Sequence, residues 1–330
     1  MSAEVLVAGL MLVAIIAYAL LGGADFGGGV WDLFARGPRR DAQRAAIAEA
    51  MGPVWEANHV WLIFVIVILF TAFPAAYAQL SIALFLPFHL VLLGIILRGA
   101  AFVFRAYSPR RGGVERTAGE RRWGAIFGAA SVMTPVLLGM SLGAVSSGRM
   151  TEESVTAAWL TPLALGTGLL ALTLCAYLAA VYLTVETDGE LRDDFRRRAL
   201  GAGTVVVALS FLALPFLYTE ARHLWDGLMR GPGTAALGPG IAAALLSGWA
   251  LWQRRYRLAR AAAVAQVAFL LAGWGLAQYP YLIYPRLTLA DAAAPASTLA
   301  FVLWSTPPGL AILLPSLWLL FRVFKGRTPA

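Results

Sequence analysis

Ionisable side chains set within apolar stretches are where this 330-residue chain could do chemistry. A charge at bilayer depth costs roughly 2.5–3.5 kcal/mol on insertion scales, so such a residue is a functional candidate by default. Three places qualify. The first is Gly52-Pro53-Val54-Trp55-Glu56-Ala57-Asn58-His59-Val60-Trp61-Leu62. Pro53 suits a first helical turn. Glu56 and His59 are three residues apart and Trp55 and His59 four, so each pair shares a helix face. A carboxylate and an imidazole on one face can pass protons, because both titrate near neutrality when perturbed. Asn58 and Trp61 flank them. The same run also reads as an interfacial aromatic belt with a polar rim, in which Glu56 merely complements the helix dipole.

The second place is Leu21-Gly22-Gly23-Ala24-Asp25-Phe26-Gly27-Gly28-Gly29-Val30-Trp31-Asp32. Five glycines surround Asp25, and glycine permits close helix approach and unusual backbone angles. No strand precedes the run and its spacing is wrong, which excludes a dinucleotide phosphate loop. Asp25 reads either as a site residue or as a solvated acid at a flexible helix end. The third is Arg98, about two turns inside Arg105, which marks the membrane interface. It either snorkels or is buried against an acid, for which Asp25 and Glu56 are the candidates. His89, deeper in the same stretch, reads as a helix–helix hydrogen bonder. Glu220, His223, Asp226 and Asp291 read as solvated loop groups.

Redox and metal chemistry find no constellation here. The histidines are only His59, His89 and His223, with no pair at helical spacing. Cys175 is the single cysteine, which excludes an intrachain disulfide or a multi-cysteine cluster and suits a buried apolar role.

The elements that must position these residues are membrane spans. Apolar residues make up 60% of the chain and charged residues 13%, half the share of about 25% usual in soluble domains. Nine stretches approach the roughly 20 apolar residues a spanning helix needs: 4–22, 54–76, 80–106, 123–147, 158–185, 198–218, 238–253, 259–280 and 298–322. The start lacks the basic region and cleavage site of a signal peptide, so the first span reads as retained. Of the 26 Lys and Arg residues, 21 fall in alternate loops, only four in the others, and Arg98 within a span. By the positive-inside rule the N-terminus is outside and the C-terminus cytoplasmic. This pattern explains the net charge of +8 without nucleic acid, and supports the weakest span, 238–253. No soluble domain is visible, so any chemistry lies within the membrane or in a partner chain.

At the same residues the chain resembles a known family. Gly23-Ala24-Asp25-Phe26-Gly27-Gly28-Gly29-Val30-Trp31 followed by Trp55-Glu56-Ala57-Asn58-His59-Val60-Trp61-Leu62 is similar to subunit II of the cytochrome bd-type quinol oxidases. Leu97-Arg98-Gly99 and Leu287-Thr288-Leu289-Ala290-Asp291-Ala292-Ala293 extend the likeness. The resemblance implies an all-α fold with nine transmembrane helices as two four-helix bundles (1–147 and 158–280) plus a peripheral last helix (298–322). It implies no haem ligand in this chain, haems b and d in a partner subunit I, and reduction of dioxygen to water with electrons from quinol, in a bacterial cytoplasmic membrane. A structural quinone and a small single-helix subunit are left open. Carried over residue by residue, the proton path comprises Asp25 and Glu56, with Asn58 and His59 beside them. Arg98 is their structural charge partner, and Gly27, Gly29, Trp31, Trp55 and Trp61 support the motif. Where some members have a second acid before the glycine motif, this chain has Gly22-Gly23.

A proton-coupled transporter working alone also fits intramembrane acids and broken helices. Its usual internal symmetry is missing, since the acids cluster in the first three spans. A haem protein in its own right would need His59 or His89 as a ligand.

Overall fold

The computed structural model describes residues 1–51, 55–106, 118–150 and 158–325. Among the described residues the regular structure is helical apart from one short hairpin. In order it forms α1 (Ala3–Leu33), α2 (Arg40–Met51), α3 (Trp55–Ala72), α4 (Pro74–Ala83), α5 (Phe85–Ala106), α6 (Ala118–Ser146) and α7 (Pro162–Glu186). There follow α8 (Gly189–Glu220), α9 (Arg222–Met229), α10 (Thr234–Trp252), α11 (Tyr256–Gln278), the antiparallel pair β1 (Tyr281–Ile283) and β2 (Leu287–Thr288), α12 (Leu289–Ala292) and α13 (Ala296–Lys325). Among the described residues eight helices are long and apolar enough to cross a membrane. A ninth span is reached if the bent pair α3 and α4 counts as one.

Local chemistry explains where the helices depart from the sequence expectation. The stretch 54–76 does not run through as one helix, and 80–106 does not start where expected. α3 ends at Ala72, the chain turns by 118° at Phe73, and α4 intervenes before α5 starts at Phe85. Pro74 is the cause: it lacks an N–H for the helix interior and takes the first position of a new helix. α7 begins at Pro162 rather than at 158, because Thr161 caps it by accepting a hydrogen bond from the Ala164 N–H at 3.1 Å. α10 begins at Thr234, so Gly238-Pro239-Gly240 lies inside it rather than at its start.

The largest correction concerns α1. It does not end near residue 22; it continues through the glycine motif for 31 residues. At 1.5 Å per residue that is about 46 Å, more than the roughly 30 Å of hydrocarbon in a bilayer. The glycines are therefore contact positions in a continuous helix. α1 packs against α3, α6, α7, α11 and α13, and α6 and α7 also pack on each other. One apolar core gathers Val7, Phe73, Leu84, Trp159 and Ile283 near the N-terminal end of α1. Another gathers Ile47, Met51, Ala101, Phe127 and Phe195 at the arginine-rich end. The amphipathic α2 lies at that end and contributes Ile47 and Met51.

Candidate functional site

The glycine motif fixes the site because it lets α1 approach two neighbours closely. A Cβ on Gly27 would run into the backbone carbonyl of Cys175 on α7 and lie 2.7 Å from the Ala179 Cβ. A Cβ on Gly29 would overlap Ser131 on α6 and sit 3.2 Å from the Phe127 ring. Trp31 locks the same seam, its indole N–H donating to the Ala176 carbonyl at 2.7 Å. Cys175 itself is half-buried, beside the Tyr18, Phe26 and Trp61 cluster.

Asp25 is buried, at 8% exposure, and is no solvated helix end. The side-chain amide of Asn58, on α3, donates a hydrogen bond to its Oδ2. His59, one residue on, is hydrogen-bonded to the Tyr18 hydroxyl at 3.4 Å and meets the Phe26 ring edge-on, with centroids 6.3 Å apart. Trp61 is buried next to them. The structure thus brings Asp25, Asn58, His59 and Trp61 to one α1–α3 interface. The side chains of Trp55 and Glu56 lie outside the described residues.

Arg98 is 1% exposed and does not snorkel. Its guanidinium lies 5.0 Å from the Phe26 ring centroid and 5.3 Å from that of Phe127. Such placement over ring faces offsets part of the cost of burying the charge. It is also in electrostatic reach of Asp25 and Tyr18. Of the two readings of Arg98, burial near an acid is the one the fold adopts. His89 departs from expectation: it is exposed, its ring lies tilted against Phe85 with centroids 4.0 Å apart, and its Nδ1–H donates to the Phe85 carbonyl of its own helix at 2.7 Å.

Two acidic centres escaped the sequence reading. Asp32, two turns beyond Asp25, is 3% exposed and accepts from both terminal nitrogens of Arg105, at 3.0 and 3.1 Å. Arg44 donates to its backbone carbonyl at 3.1 Å. The signal was the spacing: Asp25 and Asp32 are seven residues apart, which in a continuous helix puts them on nearly the same face. Asp194, in the first turns of α8 and outside the apolar stretch, accepts from Arg39 at 2.7 and 2.8 Å and from Gln43 at 3.0 Å. The hydrogen bonds from Arg39, followed by those from Arg197 and Gln43, hold its carboxyl well below the usual carboxylate range. This cluster ties α2 to α8, and no pattern within a single helix announces it. On the opposite side, Glu220 accepts the Leu163 N–H at 3.2 Å and Asp291 forms a capping box with Thr288, so both cap helices.

A cavity of about 540 Å³ reaches Asp25 and Asn58 from the arginine-rich end. Its walls come from α1, α2, α7 and α11, with Glu186, Arg257 and Arg260 at the far end from Asp25. A buried carboxylate, a neutral amide and an open cleft together allow proton exchange with water. Among the described residues no group of three His, Cys, Asp or Glu could hold a metal ion. His59, His89 and His223 lie on three separate helices.

Known proteins match this chain. Residues 3–324 match the family described as cytochrome bd terminal oxidase subunit II. The cytochrome bd ubiquinol oxidase subunit 2 of Bacillus subtilis (strain 168) is 28% identical over 218 residues, 64% of this chain and 62% of that protein. The cytochrome bd-I ubiquinol oxidase subunit 2 of Escherichia coli (strain K12) is 27% identical over 211 residues, 61% of this chain and 53% of that protein. The match thus spans less than two thirds of the length of either relative. Among solved structures, the bd oxidase from Geobacillus thermodenitrificans has the same fold. Its TM-score is 0.83 at 24% identity, covering 99% of this chain and 100% of that one. With the family matched almost from end to end, the chain belongs to the cytochrome bd terminal oxidase subunit II family.

Proposed function

We propose that this chain is the haem-free subunit II of a quinol:dioxygen oxidoreductase and that it conducts protons toward the site of oxygen reduction. In that reaction two quinols give up four electrons and four protons to become quinones, and dioxygen takes four electrons and four protons to become two waters. Haems b and d reside in a partner subunit I, which this chain supports. A small single-helix subunit and a structural quinone are compatible additions. The N-terminus faces outward and the arginine-rich loops face the cytoplasm. The spans divide into two four-helix bundles, 1–147 and 158–280, with 298–322 peripheral.

The observation that carries the proton role is the buried Asp25–Asn58 pair at the inner end of a cleft that leads to the arginine-rich end. An apolar membrane offers a proton no route except titratable groups and ordered water. Asp25 is the first buried carboxylate such a proton meets, and Glu56, two residues before Asn58, is the next acid in the relay. Arg98 limits the cost of holding negative charge there. Asn58 and His59 complete the polar face, while Gly27, Gly29, Trp31 and Trp61 hold the helices that carry it, and Trp55 belongs to the same motif.

The test is purification of the tagged chain in mild detergent, with a reduced-minus-oxidised spectrum and quinol-driven oxygen consumption of the eluate. The reading requires a second, haem-bearing membrane subunit and oxidase activity; a colourless, inactive chain from an intact preparation refutes it. Within that complex, Asp25→Asn and Glu56→Gln slow oxygen reduction with haem content unchanged. Parental turnover in both variants ends the relay.

A further inference from the structure

We infer that Glu186, held by Arg260 at the mouth of the cleft, is the carboxylate that collects protons from the cytoplasm and passes them inward to Asp25. This rests on the relay reading above and extends it outward by naming an entrance.

The geometry supports one continuous cleft with carboxylates at both ends, Glu186 and Asp25. Glu186 is the last residue of α7 and is exposed, while the chain of cleft-lining residues on α7 runs inward through Tyr182 to Ala179. Glu186 and Tyr182 are four residues apart, so they share a face. Seven residues of helix separate Glu186 from Ala179, about 10 Å along the axis. Ala179 in turn packs on Gly27, two residues from Asp25. Tyr182 lines the same cleft as Asp25, Glu186 and Arg260.

The cleft is wide enough for water. A single water needs roughly 10–15 Å³ of such space, and about 540 Å³ is present. Its walls otherwise offer few alternatives to Glu186. α2 contributes only Ile47, Ala50 and Met51, and α11 contributes Arg257 and Arg260, which repel a hydrated proton. A carboxylate at the entrance is therefore needed to offset that positive charge. Arg260 lies 3.6 Å from the Glu186 carboxylate, close enough to orient it and loose enough to leave its other oxygen in water. The step is a proton transfer alone. A hydrated proton from the cytoplasm binds the Glu186 carboxylate, which releases it to water in the cleft, and the proton ends on the Asp25 carboxylate.

The experiment measures quinol-driven oxygen consumption by the intact complex from pH 6 to pH 8, for the parent, Glu186→Gln, Glu186→Asp and Asp25→Asn. Protons are scarce at pH 8, so Glu186→Gln is expected to slow turnover there by about tenfold. That is less than the roughly 10²–10⁴-fold a positioned acid–base group supplies, because water alone still enters the cleft. At pH 6 the loss should shrink, Glu186→Asp should restore most of the rate, and haem content should be parental in all. Parental turnover of Glu186→Gln at pH 8, with Asp25→Asn slow, overturns the entrance and leaves the relay standing. A loss equal at both pH values and not restored by Asp also overturns it, since that marks a structural role. Parental turnover of Asp25→Asn removes the relay itself, and the entrance with it.

Discussion

Replacing Gly27 by Ala tests whether the glycine motif is there for packing. One methyl group is added, and in an unstrained helix this change favours folding by up to about 1 kcal/mol, because Ala is the better helix former. At Gly27 the structure predicts the opposite sign. The new Cβ would overlap the Cys175 carbonyl and sit 2.7 Å from the Ala179 Cβ, where carbon atoms normally keep about 3.5–4.0 Å. α1 and α7 must therefore separate by about 1 Å, and overpacking of that kind costs about 1–3 kcal/mol. Gly9 lies on the same helix, and a Cβ there meets nothing within 4 Å, so Gly9→Ala is the matched control. Thermal unfolding of the purified complex should show Gly27→Ala melting below the parent and Gly9→Ala at or above it. Because Asp25 rides on the same segment of α1, Gly27→Ala should also lose turnover beyond its loss of haem. Equal melting of the two variants would refute the packing argument, whatever the activities.

Three further outcomes follow from the ion pairs. Arg105→Met leaves the buried Asp32 carboxylate only Arg44, at 3.8 Å, and should cost up to about 3–5 kcal/mol; adding Asp32→Asn should recover part of the loss, read as unfolding of the complex in detergent. Arg98→Leu should reduce the haem recovered with the complex, and Arg98→Lys should restore it only partly, since an ammonium cannot spread its charge over the Phe26 and Phe127 rings as a planar guanidinium does. Asp194 is held low by Arg39, so its contribution is fully present above the ordinary carboxylate value of about 3.9 and is lost as pH falls below that. The melting difference between the parent and Asp194→Asn should therefore be constant from pH 7 to about pH 4 and close below it.

The spans were legible because a bilayer imposes length and apolarity. The turn at Phe73 was legible in principle from Pro74, but an apolar run on both sides hid it. The extent of α1 was not legible from the glycines, because five glycines signal flexibility in water and close packing in a membrane, and only the neighbouring helices decide between the two. Asp25, Asn58, His59 and Arg98 stood out as polar groups in apolar runs. Asp194 did not, because its partners Arg39 and Gln43 lie some 150 residues away in sequence, just before and within α2. Glu186 was hidden for a related reason: at a helix end it looks like any solvated acid, and only the cleft beside it gives it a role.

The two buried acids of α1 show how the fold separates a fixed charge from a transferable proton. Asp32 is gripped by both terminal nitrogens of Arg105 and does not line the cleft. Its two charge-assisted hydrogen bonds, each roughly twice as strong as a neutral one, tie α1 to α5. Asp25 accepts from the neutral amide of Asn58 and borders the cleft. A neutral donor is compatible with either protonation state, since the amide can bond a carboxylate or the carbonyl oxygen of a carboxylic acid. Swapping the arrangements makes the argument testable. Asn58→Arg would put a guanidinium where the neutral amide now bonds Asp25, and the prediction is a well-assembled complex with parental haem content whose turnover is lost. Full activity in that variant would mean that protons reach the oxygen-reducing site without passing through Asp25.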